Sequence, residues 1–412
     1  MIAVVMALSV ATAADGEAAW QRTGWGFGGL PAVNYNTDEG LGLGALANVY
    51  KYDGTTSPYR FAIGLQIFAT TFGVHNHRVD FDVLKLAEGR LRLTGRVNLD
   101  ITRTNPFCGL GRGVTCDPAE AERIADEAGL MGDARDDYLR RYYFYSFVRP
   151  NMFVTGRYRL GDLDQALKKE IFGSIRSVYF KPGTFGSDDP DPGNRFSQYI
   201  DGGADVTKEK GFLNVLQIGG MLDARDFEPA PTKGYWIEAS VRGAHTITAS
   251  QFDYFGFNAT SRTYQDLVGE GRLVTAQRLV MDGIVGDVPV RELAEMGGAT
   301  IYNFGGGLNA GRGIRQRRFL GRAKGLVQNE LRWRFATIDP GVKVAFTAVG
   351  FSDLVFIAER WSDIGDFGRP VAGQGAGIRL AFDDNFIIRT DVGFSAAEDY
   401  SPSVYIDINN VF

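Results

Sequence analysis

Five arginines, Arg312, Arg315, Arg317, Arg318 and Arg322, crowd into one short stretch of the sequence. Guanidinium groups make planar, often bidentate hydrogen bonds to carboxylates and phosphates. Two partners are open to this cluster. If the segment folds inward, its charges need carboxylates, because unpaired buried charge is costly. Glu330 and Asp353 on the following segments could supply them. If the segment stays exposed, its natural counter-ions are the phosphates of lipopolysaccharide. A second chemical pair is Cys108 and Cys116, close together and separated by three glycines, which reads as a local disulfide. A metal site would need two more ligands, and His75 and His77 have no link to the cysteines. Gly24-Trp-Gly-Phe-Gly-Gly29 matches a dinucleotide fingerprint, but strands rather than a helix follow it, so no cofactor is expected. No nucleophile elbow occurs, and no catalytic residue is assigned. The chain does not read as an enzyme.

The elements that must position these residues follow from composition and period. A net charge of −5 without a lysine and arginine block excludes nucleic acid as the expected partner. Residues 1–13 form an apolar run ending Ala11-Thr12-Ala13, which predicts a secretory signal peptide. Residues 14–23 are then a short periplasmic segment, and 24–412 the folded domain. No later stretch approaches the roughly 18 apolar residues of a membrane helix.

The dominant period is two. In 90–100, Arg90, Arg92, Thr94, Arg96, Asn98 and Asp100 share one face, opposite Leu91, Leu93, Val97 and Leu99. Glu238, Ser240 and Arg242 likewise oppose Ile237, Ala239 and Val241, and Gln328, Glu330, Arg332 and Arg334 oppose Val327, Leu331, Trp333 and Phe335. Arg389, Asp391 and Ser395 oppose Phe386, Ile388 and Phe394. No soluble core accepts such charged faces; a wet barrel lumen does, with the apolar face toward lipid. The reading is all-β: a transmembrane antiparallel β-barrel of about sixteen strands. The strands are placed at 25–36, 40–51, 59–71, 75–86, 89–103, 141–159, 170–182 and 211–223. The second half adds 234–246, 252–267, 271–285, 323–336, 341–353, 374–382, 385–395 and 403–412.

Short turns alternate with long polar loops at about 104–140, 183–210, 289–322 and 354–373, the pattern of long extracellular loops. Asp117 as N-cap and Pro118 predict a helix in the first of these. The last strand should point Val404, Ile406, Ile408 and the final Phe412 outward. Gly26, Gly28 and Gly29 early, with Asn409 and Asn410 late, should weaken the seam that closes the barrel.

Several segments in order resemble the bacterial surface antigen superfamily, the BamA/TamA type of assembly and translocation barrels. They are Leu30–Tyr35, Gly40–Ala45, the turn Asp223-Ala-Arg225-Asp226 with Gly234, Gly305–Gly307, Arg312-Gly313-Ile314, Arg318–Gly321, Asn329–Arg332, Asp353, Gly375–Arg379 and Phe412. Ile314 stands where the family usually has an aromatic. The resemblance implies a sixth loop folded into the lumen, with Arg312 at its tip and Glu330 and Asp353 receiving it. It also implies that the turn motif lies on the periplasmic side and that Phe412 is a C-terminal assembly signal. Too few residues precede the first strand for the family's periplasmic POTRA domains, so a barrel-only member is expected. The implied location is the bacterial outer membrane. The implied role is insertion or transport of protein or lipid, with outer-membrane lipid, lipopolysaccharide, the outer-membrane assembly machinery and a lipoprotein or client as partners. The alternative is a passive pore or structural barrel that docks a lipoprotein.

Overall fold

Inward and outward faces alternate along every long strand of the computed structural model, and the strands close on themselves. It describes residues 23–36, 39–56, 59–163, 165–183, 193–201, 209–339, 343–382, 386–408 and 410–412. The expected signal peptide lies outside the described residues. Sixteen antiparallel strands form a closed barrel, each paired with its sequence neighbours, the first meeting the last. The first half is β1 Thr23–Asn36, β2 Gly40–Asp53, β3 Phe61–Thr70, β4 His75–Leu86, β5 Leu91–Pro106, β6 Phe144–Leu160, β7 Lys168–Gly183 and β8 Gly211–Asp223. The second half is β9 Gly234–Ala244, β10 Tyr254–Asp266, β11 Leu273–Gly286, β12 Ala323–Ile338, β13 Val344–Ala358, β14 Val371–Phe382, β15 Phe386–Phe394 and β16 Ser403–Ile408.

The outward face carries an exposed apolar band that includes Leu65, Ile67, Val97, Ile175, Ile218, Leu279 and Trp333. Such a band is insoluble in water and fits a hydrocarbon slab. The inward face is polar, and Asp282, Arg278, Glu330, Arg379 and Asp391 on it are all buried. No helix among the described residues is long and apolar enough to cross a membrane.

The loops depart from expectation in instructive ways. The first long loop holds two helices rather than one, α1 Pro118–Glu127 and α2 Gly132–Arg141. Asp117 caps α1 by accepting the Ala119 N–H at 3.0 Å. Between 183 and 210 lies a further helix, α3 Arg195–Asp201. β13 runs on to Ala358 and β14 starts at Val371, so the loop expected at 354–373 shrinks to 359–370. The added length is held by Val355 and Ile357, fully buried with Phe304, Ile314 and Phe319 of the sixth loop. That loop's apolar surface was invisible to strand periodicity.

Cys108 and Cys116 are joined in a disulfide, with Cα atoms 5.1 Å apart. Cys108 sits in a small core with Ala121, Ala125, Tyr138 and Tyr142, so the bridge ties the loop to its helices rather than to the barrel wall. Replacing both cysteines with serine should therefore expose Arg112 and Arg123 to trypsin while heat-modifiable migration on gels stays as in wild type. A short covalent ring of this kind stabilises by roughly 2–3 kcal/mol. Loss of the heat-modifiable form would show that the bridge supports the barrel itself.

Candidate functional site: the loop-six plug

The sixth connection on the long-loop side, residues 287–322, leaves the wall at Gly286 and folds into the lumen. It starts with a one-turn helix, α4 Val290–Leu293, and a two-residue ladder pairing Glu295–Met296 with Tyr302–Asn303. Its tip is a glycine-rich turn. Gly313 has φ +92°, a left-handed conformation that strains any residue with a Cβ. An added Cβ there would lie 2.5 Å from the Phe394 backbone nitrogen, and one on Gly373 would run into the Arg312 carbonyl. Glycines on both sides thus let the loop backbone lie directly on the wall.

This contact delivers Arg312 to three carboxylates. Its Nε donates to Asp353 Oδ2 at 3.0 Å and Nη2 to Oδ1 at 2.8 Å, a bidentate pair. The Arg312 backbone N–H donates to Asp353 Oδ2 as well, at 2.9 Å. Nη1 donates to Glu330 Oε1 at 2.6 Å and to Asp391 Oδ2 at 3.4 Å. All four side chains are fully buried. The guanidinium centre lies 3.7 Å from the centre of the Phe351 ring, whose face adds a cation–π attraction.

Neighbouring arginines share the anions. Arg332 Nε donates to Glu330 Oε2 at 2.8 Å. Arg379 donates to both oxygens of Asp391, at 2.7 and 3.2 Å. Arg389 lies 3.8 Å from Asp391 and 2.9 Å from Asp407. Asp353 differs: among the described residues its hydrogen bonds come from Arg312. Removing that side chain would leave Asp353 a buried anion with no counter-charge bonded to it and the residue-312 backbone N–H as its one remaining donor among the described residues.

The loop is fastened on two more sides. Glu295 takes Arg149 at 2.5 Å and Arg176 at 2.6 Å, from β6 and β7. Glu292 pairs with Arg176 and accepts from the Tyr254 hydroxyl at 2.8 Å. On β11, Asp282 accepts the Gly297 N–H at 2.8 Å while pairing with Arg242 and Lys324. Above, Val290, Leu293 and Leu320 pack with Phe107, Tyr145, Phe147, Phe180 and Phe196 in an apolar lid. The result is a plug, salt-bridged below and greasy on top. A cavity of about 370 Å³ remains between the plug and β4–β9.

Not every residue singled out from the sequence joins the site. Of the basic cluster, Arg312 alone reaches Glu330 and Asp353. The Arg315 N–H donates to Glu398 at 3.2 Å, and Arg318 lies 3.6 Å from the same carboxylate. Arg317 donates to Asn105 and to Asn303, the latter at 3.1 Å, and Arg322 donates to the Gly286 carbonyl at 2.8 Å. Ile314 is fully buried against Phe304 and Ala310, filling by packing the place of an aromatic. In the turn 224–233, Arg225 grips both oxygens of Asp223 at 2.9 Å, and Asp226 accepts the Thr232 hydroxyl at 2.6 Å. Gly234, with φ +100°, faces the Ala224 carbonyl.

Phe412 is the clearest correction. It was expected to point outward on a strand running to 412, yet β16 stops at Ile408. Val411 and Phe412 turn inward and are buried against Tyr264 and Ala276. Arg332 Nη2 donates to the Phe412 carbonyl at 3.0 Å, and the ring lies 5.4 Å from both the Arg278 and Arg332 guanidinium centres. Two cations over one ring, inside a polar lumen, outweigh strand alternation at a frayed end.

Sequence reasoning missed Asp391, Arg379, Phe351, Glu292 and Glu295. Alternation had put Asp391 on the polar face, but no linear spacing tells which of several inward carboxylates a loop tip will meet. Another missed contact is Glu209, whose carboxylate accepts the Val290 N–H at the start of α4 at 3.1 and 3.0 Å. Burial pushes its carboxyl up to about 7, against the pull of the Val290 hydrogen bond and Arg291. A raised acid favours the fold when protonated, so this stabilisation is full below the ordinary carboxylate range and fades as pH rises through about 7. The temperature of the heat-modifiability transition should therefore rise from pH 8 to pH 6, and Glu209→Gln should flatten that rise. An unchanged slope in the variant would remove Glu209 as the cause.

No family model and no curated protein matches the sequence. Solved structures do match in shape. BamA from Haemophilus ducreyi lacking POTRA domains 1–3 superposes with a TM-score of 0.55 at 12% identity, over 94% of this chain and 70% of that one. CdiB from Escherichia coli gives 0.59 at 10% identity, over 96% and 63%. CdiB from Acinetobacter baumannii gives 0.51 at 12%, over 93% and 59%. The chain thus spans about three fifths of the length of the two CdiB structures. With its sixteen strands closed in sequence order and a loop held in the lumen, this chain has the fold of the BamA and CdiB barrels.

Proposed function

We propose that this chain is an outer-membrane barrel that works at its seam, letting a client strand or lipid enter between β1 and β16, rather than conducting solutes through its lumen. One observation carries the reading: β1 pairs with β2 along fourteen positions, from Thr23 opposite Asp53 to Asn36 opposite Gly40. Against β16 the described pairs are Tyr35 with Ile406 and Asn36 with Tyr405. Below them the β1 edge lacks ladder partners among the described residues, and an unpaired edge is a template for another strand. The inward turn of Val411 and Phe412 supports the same reading, because it withdraws the end of β16 from that edge.

The plug argues against the passive-pore alternative. The long loops then face the cell exterior, where lipopolysaccharide is the neighbouring lipid, and the short turns face the periplasm, within reach of assembly machinery or a lipoprotein. The direct test is a lock. A Tyr35→Cys/Ile406→Cys barrel, oxidised in proteoliposomes, should lose any acceleration of client-barrel folding that the reduced form provides. Equal acceleration by both forms would sink the seam mechanism, and a large steady conductance of the wild type in planar bilayers would favour the pore.

A further inference from the structure

We propose that the short-turn mouth of the barrel contains an anion-binding cleft that receives an acidic polypeptide segment. The cleft, of about 510 Å³, opens at three short connections, between Thr56 and Arg60 on one side, Glu88 and Arg90 on another and Leu163 on the third. Six cations face it against two carboxylates, Glu88 and Glu170. Part of that charge is cancelled locally. Arg92 pairs with Asp82 at 2.7 Å, Arg157 with Glu170 at 2.6 Å, and Arg60 lies 3.9 Å from Asp53.

Three cations are held differently. Lys85 Nζ donates to the Thr55 carbonyl at 3.1 Å, and Arg90 Nη1 to the Gly161 carbonyl at 2.6 Å. Arg159 Nη2 donates to the Leu163 and Gln165 carbonyls at 3.2 and 2.9 Å, and its buried Nε has no partner among the described residues. Carbonyl acceptors fix where these groups point without cancelling their charge. Among the described residues no carboxylate pairs with any of the three. The irregular end of β4 and the turn after it are also strained: Lys85, Ala87 and Glu88 have φ of 54°, 46° and 59°, values that side chains with a Cβ rarely adopt. Backbone strain of this kind is kept where a site needs a fixed geometry.

The position of the cleft selects its occupant. Arg157 and Arg159 alternate with Tyr158 and Leu160, which are exposed on the outer wall. Arg157 and Arg159 therefore face the lumen, and a lipid headgroup would have to leave its own layer to reach them. Further along the same inward faces lie Thr94, Thr155 and Ser174, which line the cavity of about 370 Å³ beneath the plug. A basic rim leading to a space where hydroxyls alternate with balanced charges, Arg96, Arg176 and Arg242 against Asp80, Glu292 and Glu295, suits an extended chain carrying aspartate or glutamate. The inference uses the proposed function only to say that this mouth faces the periplasm.

The test uses the full-length barrel in detergent and a fluorescent glutamate-rich decapeptide. Saturable binding that weakens with added salt is expected, with none for the glutamine counterpart. Lys85→Gln/Arg90→Gln/Arg159→Gln should lower the affinity roughly tenfold, and Arg123→Gln on exposed α1 should leave it unchanged. Heat-modifiable migration, followed alongside, tests the barrel separately from the cleft. If the triple variant does not fold, a photo-activatable glutamate peptide on the wild type decides. Adducts on these three connections support the cleft, and adducts elsewhere overturn it. Equal binding by the triple variant or the glutamine peptide also overturns it. Competition by inorganic phosphate as strong as by the peptide would mean a small-anion site and would likewise overturn the polypeptide assignment.

Discussion

Arg312→Ala frees the sixth loop and opens the lumen. In the wild type this one side chain supplies Asp353 with both side-chain hydrogen bonds and gives Glu330 and Asp391 part of their counter-charge, all out of contact with water. The variant keeps Arg332 and Arg379 for Glu330 and Asp391, so the damage concentrates on Asp353. Breaking a buried pair from one side costs about 3–5 kcal/mol, because the remaining charge is stranded. Trypsin should then cut at Arg315, Arg317 and Arg318, a steady conductance should appear in planar bilayers, and the heat-modifiability transition should fall. Arg312→Lys should recover only part of this, since an ammonium cannot span the planar bidentate contact with Asp353. Arg312→Ala combined with Asp353→Ala should be less damaging than the sum of the two, because it removes the stranded charge with its partner. Wild-type protease resistance and conductance in Arg312→Ala would mean that the Glu295 and Asp282 anchors hold the loop by themselves.

The second large effect belongs to the seam. Amide protons of β1 from Thr23 to Asn34 should exchange far faster than those of β10, which is laddered on both sides from Tyr254 to Tyr264. On the β16 side, that part of β1 has no ladder partner among the described residues. Pro31, which has no N–H to give, sits in this strand, as proline does where one edge is unpaired. The contrast in exchange rate should be on the order of a hundredfold or more, because local opening draws on far less free energy than global unfolding. Tyr35 and Ile406 stand directly opposite each other, at the separation a disulfide requires. Oxidising the cysteine pair at these positions should slow exchange at the upper end of β1. Uniform protection of β1 and β10 would show a closed, cooperative wall and would falsify the weak seam.

Much of this was written in the sequence because its physics is local. Alternation along Arg90–Asp100, Gly234–Arg242 and Gly325–Phe335 is a property of single strands, since a pleated backbone sends neighbouring side chains to opposite faces. Charged and apolar faces of that length allow only a wet interior and an oily exterior, so the barrel and the inward direction of Glu330, Asp353 and Asp391 follow. Loop lengths set the strand order, because adjacent antiparallel strands need only short connections. The end of the chain, the depth of the plug and the choice among five arginines are of another kind. Phe412 leaves the strand pattern for the cations Arg278 and Arg332, which come from strands distant in sequence. Arg312 takes the carboxylates while Arg315, Arg317, Arg318 and Arg322 do not, because Gly313 and Gly373 bring that one backbone position against the wall. Asp391 becomes the third acceptor only when β15 is carried round beside β14 and β13. These are contacts between residues far apart in the chain, whose energies depend on distance and burial in three dimensions. Closing the barrel and seating the loop decide them.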